Sequence, residues 1–73
     1  MEAREIRTWT DDEIHERLME SHRELFALRR QKSTGRLEDH NRITEVKRNV
    51  ARMKTILRER ELSAELIEGG EEA

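Results

Sequence analysis

Ile43, Val46, Val50, Met53 and Leu57 recur at spacings of three, four, three and four residues, a heptad pattern that an α-helix turns into one continuous apolar strip. Such a strip must be covered. A chain of 73 residues, 33% of them hydrophobic, has little apolar material to do it with, and no segment shows the period-two alternation of a half-buried strand. The cover is therefore a second helix. Ile14, Leu18, Leu25 and Leu28, spaced four, seven and three apart, supply it on one stripe. Ser21 and His22 occupy the turn where that stripe should continue, so its middle is thin.

Local signals set the ends of both helices. Thr10 followed by Glu13 is a capping-box pattern, and Asp11 and Asp12 suit the positive end of the helix dipole. Trp9 and Ile14 stand at the positions of a hydrophobic staple. Gly35 can take the left-handed conformation that ends a helix, and Arg29, Arg30 and Lys32 precede it where cations favour the dipole. Asp39 or Asn41 can cap the next helix. The chain is thus predicted to be all-α: a long antiparallel two-helix hairpin forming one domain over 1–67, with room for a short N-terminal helical turn. The helices are expected at about 11–34 and about 40–62, joined by a turn at about 35–39, a link short enough to favour antiparallel neighbours. Leu62, Leu66 and Ile67 can prolong the second helix, while residues 68–73, with Gly69, Gly70 and the glutamates after them, read as an acidic, disordered tail.

Much chemistry is excluded on composition. With no cysteine there is neither a disulfide nor a thiolate metal site, and no stretch approaches the ~18 apolar residues of a membrane span. A soluble, cytoplasmic protein is expected. His15 and His22 share a face but lie about 10.5 Å apart along the axis, too far to ligate one metal unaided. A two-helix hairpin offers no concave site, and no glycine loop cradles a phosphate. Neither an enzyme nor a cofactor is expected.

The formal net charge of −2 hides a division along the chain. From Met1 to Leu28 eight acids face four bases; from Arg29 to Arg60 eleven bases face four acids, a net of +7; after Arg60 come five acids and no base. On a wheel at about 100° per residue, Lys54, Lys47, Arg58, Ala51, Thr44, Thr55 and Arg48 fill one sector beside the heptad strip, with Glu45 and Glu59 outside it. Small residues between the cations let backbone phosphates approach closely, with hydroxyls as further donors. Arg52 and Arg42 flank the helix further round, and Arg29 and Arg36 carry positive charge across the turn. The absence of paired aromatics points to folded RNA read through backbone and shape. An ordinary solvated face is the competing reading, and a coiled-coil protein-interaction module, using the strip against another helix, is the alternative in function. Met19 and Phe26, seven apart on a second stripe of the first helix, are candidate contacts to a protein partner.

Glu24, Leu25, Phe26, Leu28, Arg29 and Gln31, then Thr34, Gly35, Leu37 and Glu38, then Arg42, Ile43, Val46, Arg48, Val50, Ala51, Arg52, Thr55 and Leu57 resemble the signature of the large-subunit ribosomal protein twenty-nine family, over roughly residues 5 to 60. The resemblance implies a helical hairpin on large-subunit rRNA near the polypeptide exit tunnel, a neighbouring ribosomal protein twenty-three, and nascent-chain factors close by, in a ribosome-bound, cytoplasmic protein. The chain departs from that signature at Ser33, Arg36 and Asp39, and at Ser21 and His22, where leucines are common in the family.

Overall fold

A computed structural model describes residues 1–67 in full and carries the backbone of the last helix to Glu72. Three helices follow in order: α1 (Ala3–Ile6), α2 (Asp11–Ser33) and α3 (Asn41–Glu72). The two long helices pack antiparallel, since Glu24 near the turn pairs with Arg42, and Asp11 at the far end pairs with Arg60. The result is a rod of 57 × 20 × 17 Å. α3 runs beyond the expected end at 62, through Leu66 and Ile67, and the acidic tail expected at 68–73 lies outside the fully described residues.

Each boundary has a visible cause. The Thr10 side chain accepts a hydrogen bond from the Glu13 amide at 3.2 Å, satisfying one of the orphan donors of the first turn. At the other end the Arg36 amide reaches the Gln31 carbonyl at 2.8 Å and the Gly35 amide reaches the Lys32 carbonyl at 3.1 Å. Those two bonds form a Schellman motif, and they require the φ of +73° that Gly35 adopts. Of the two candidate caps for α3, Asp39 acts: its Oδ1 accepts from the Asn41 amide at 3.0 Å.

The core follows the heptad strip with one displacement. Ile14, Leu18 and Leu25 of α2 are buried with Ile43, Val46, Val50 and Met53 of α3. At the next turn Ile56 joins the buried face at 3% exposed, while Leu57 is half-buried and packs against the same cluster. The cause is α1. This short helix packs against α3, brings Ile6 to complete burial and rotates the covered face of α3 toward itself beyond the start of α2. Trp9 packs against the same cluster, with the Arg17 guanidinium 4.2 Å from its ring centroid. Ser21, in the thin middle of the α2 stripe, is half-buried, and His22 is exposed.

Arg60 fastens this end. Its guanidinium pairs with Asp11 and donates to the carbonyls of Trp9 (2.8 Å) and Arg7 (3.3 Å), tying the α1–α2 link to α3. On the other edge, Arg52 donates to the Met1 carbonyl at 2.8 Å.

Two substitutions test this account by chemical denaturation. Gly35→Ala meets no steric obstacle but forces alanine into the left-handed region, so a loss of about 1–2 kcal/mol is expected. Ile56→Ala should cost about 2–5 kcal/mol, the range for a buried isoleucine; a loss below about 1 kcal/mol would mean that α1 does not cover this position.

Candidate nucleic-acid interface

The basic sector is built by the backbone of α3 alone. Once Ile43, Val46, Val50 and Met53 turn inward, helical geometry carries Thr44, Lys47, Arg48, Ala51, Lys54, Thr55 and Arg58 onto an adjoining surface, about 120° wide and about 21 Å long. All seven are exposed. No ion pair among the described residues involves Lys47, Arg48 or Lys54. These three cations face solvent uncompensated.

The remaining candidates are not equivalent. Arg58 pairs with Glu61 at 3.1 Å, an i,i+3 contact within α3. The sector is therefore acid-free from Thr44 to Lys54 and partly neutralised at Arg58. The Thr55 hydroxyl donates to the Ala51 carbonyl at 2.8 Å, which leaves it as an acceptor in this rotamer. Arg52 adjoins the sector with one guanidinium nitrogen held by the Met1 carbonyl.

Arg42 stands on the other side of the buried strip and serves the fold. Its Nε and Nη2 both reach Glu24 Oε1 at 2.6 Å, and Nη1 reaches Glu45 at 3.2 Å. Hydrogen bonding to Glu24, reinforced by the charges of both carboxylates, outweighs partial desolvation and raises its already high pKa further. Arg29 and Arg36 are exposed. Arg36 lies over an open groove of about 530 Å³ at the turn, with Leu28, Gln31, Leu37, Glu38, Asp39 and Arg42.

Met19 and Phe26 form a separate surface. They are 57% and 64% exposed, large values for apolar side chains, and the Arg30 guanidinium lies 5.6 Å from the Phe26 ring centroid.

The sequence model of the family described as Ribosomal L29 protein matches residues 4–60, from α1 through the whole hairpin to Arg60. The chain belongs to this family. It is similar to the large ribosomal subunit protein uL29 of Carboxydothermus hydrogenoformans, with 48% identity over 68 residues, 93% of this chain and 99% of the relative. The uL29 protein of Caldicellulosiruptor bescii is 54% identical over 65 residues, 89% of this chain and 90% of that one. The Geobacillus stearothermophilus uL29 protein is 52% identical over 64 residues, 88% of this chain and 97% of that one.

The L29 family match ends at Arg60, which is also the residue that ties α3 back to α2 and the link before it. Beyond that point the structure adds contacts that a linear reading misses. The Asp11–Arg60 and Glu24–Arg42 pairs join residues 49 and 18 positions apart; only the antiparallel register makes them neighbours. Glu61 beside Arg58, by contrast, is an i,i+3 pair that the expected helix to 62 already contains.

If Arg42 belongs to the fold and Lys47 to the free surface, their alanine variants must differ. Arg42→Ala should lower hairpin stability by about 0.5 kcal/mol, the scale of a half-exposed ion pair. Lys47→Ala should leave it unchanged. Parallel urea titrations compare the two.

Proposed function

We propose that this protein is a structural constituent of the large ribosomal subunit, without enzymatic activity, that binds rRNA through the basic sector of α3 and the turn. The observation that carries this reading is the patch of Lys47, Arg48 and Lys54, exposed and free of carboxylate partners among the described residues. The names of its relatives as large ribosomal subunit proteins support it. The mechanism is electrostatic: each phosphate neutralised releases condensed counterions, and the rigid helix fixes the spacing at which cations meet the backbone. Thr44, Lys47, Arg48, Lys54 and the outward part of Arg58 form the main contact, Arg52 extends it, and Arg29 and Arg36 continue it round the turn.

In this proposal the hairpin sits near the polypeptide exit tunnel beside ribosomal protein twenty-three, with nascent-chain factors close by, and Met19 and Phe26 meet the protein neighbour. The protein is then cytoplasmic and ribosome-bound; no described helix is long and apolar enough to cross a membrane. The alternative of a coiled-coil module has lost its surface, because Ile43, Val46, Val50 and Met53 are buried within the chain.

Binding to large-subunit rRNA fragments, measured against salt, tests the reading. The logarithm of affinity should fall linearly with the logarithm of salt concentration, and Lys47→Glu, Arg48→Glu and Lys54→Glu together should weaken binding and reduce the slope by about three units. A flat salt dependence, or full binding by the triple variant, would refute the proposed interface. Stoichiometric co-sedimentation with the large subunit tests the assembly itself.

A further inference from the structure

α1 lies along one edge of the basic sector, and two contacts fix its register there. The Met1 carbonyl accepts from Arg52 at 2.8 Å, and Arg7 pairs with Glu59 at 3.7 Å. Arg52 and Glu59 stand on one stripe of α3, about 10.5 Å apart along its axis, and Arg48 lies one turn before them. The segment from Met1 to Arg7 therefore runs parallel to α3 beside this stripe. Arg4, at its midpoint, comes level with Thr55, the member of the basic sector between Arg52 and Glu59.

Helical geometry also sets the side of α1 that Arg4 occupies. Ala3 and Ile6 face the core. Arg4 and Arg7, one turn apart, share a flank, and Arg7 shows where that flank points, since it reaches Glu59 at the edge of the sector. Glu2 and Glu5 fall about 130° or more from the middle of the flank. Arg4 is exposed, and no ion pair among the described residues involves it or Arg48. The carboxylates at the two ends of the α3 stripe, Glu45 and Glu59, are each answered, by Arg42 and Arg7.

A cation at this place adds a second row to the surface. Packed helices stand about 8–10 Å apart, so Arg4 sets positive charge a helix-width beside Arg48 and Arg52. The apolar residues of α1, Ala3 and Ile6, turn inward, which leaves this flank with guanidinium groups beside the Thr55 hydroxyl. Guanidinium groups suit phosphate oxygens, which they can grip with two parallel hydrogen bonds. We infer that α1 is a second arm of the phosphate-binding surface, on which Arg4 joins Arg48 and Arg52 in holding the RNA backbone that lies on the basic sector of α3. The inference rests on the rRNA reading above and adds to it an element outside α3 and the turn.

The test measures binding of the full chain to a large-subunit rRNA fragment across a salt series. Arg4→Gln should weaken binding about three- to tenfold and reduce the salt slope by about one unit. Its thermal transition should match the parent's, since Arg4 has no ion pair among the described residues. Arg23→Gln removes the same charge from an exposed position on α2 and should leave affinity and slope unchanged. A parent-like slope in Arg4→Gln would overturn the inference, and a lowered thermal transition beside that slope would make Arg4 a structural residue. An equal loss in Arg23→Gln would overturn it too, because the effect would then follow net charge and not position. The Lys47→Glu, Arg48→Glu and Lys54→Glu variant keeps the two readings apart: its loss of binding beside an unaffected Arg4→Gln rejects α1 alone, whereas full binding by it rejects the basic sector and α1 together.

Discussion

The packing of Ile14, Leu18 and Leu25 against Ile43, Val46, Val50 and Met53 is the contact on which the rest of the molecule depends. A short chain with so few apolar residues buries little surface, and without cysteine it has no disulfide to supplement it. Every large aliphatic side chain on the inner faces is therefore committed to one seam. Because helix nucleation is costly and long helices are stabilised chiefly by burying one face, α2 and α3 hold each other in place. Removing the seam would leave two highly charged helices with little reason to persist.

That commitment separates fold from surface. With the apolar residues of α3 turned inward, its charges are distributed by helical geometry alone, and the outcome depends on register. Arg42 and Arg60 fall where they meet carboxylates of α2 and become ties between the helices. Lys47, Arg48 and Lys54 fall where no described carboxylate reaches them. Cations of similar chemistry thus acquire different roles from an angular difference on one helix. A rigid array that meets no internal acid stays available to an external polyanion, which is the requirement for binding phosphate without first breaking internal pairs.

The charge changes sign along α3 as well. Up to Lys54 the outward face is basic; after Arg60 it presents glutamates beside Leu62 and Leu66. Arg58, paired with Glu61, marks the transition. The exposed pair Met19 and Phe26, on α2, is a surface distinct from the basic sector.

Much of this was legible in the residues. The heptad spacing from Ile43 to Val50 and Met53, the Thr10–Glu13 cap, the stop at Gly35 and the acid-free helical sector holding Thr44, Lys47, Arg48 and Lys54 are local patterns, each set by helical periodicity or by the needs of a helix end. Periodicity did not reveal where the seam closes. Leu57 fits the heptad and packs half-buried against the core, yet Ile56 is the more deeply buried, because α1 folds back onto α3 and brings Ile6 with it. Nor could charge counting distinguish Arg42 from Lys47, since one pairs with a residue 18 positions away. By itself the sequence determined the two long helices, both ends of the first and the start of the second, and the existence of a basic face, all of which depend on neighbours within a turn or two. Only the tertiary structure decided which cations remain free and which apolar residue completes the core, because those outcomes rest on contacts between residues that the antiparallel register brings together.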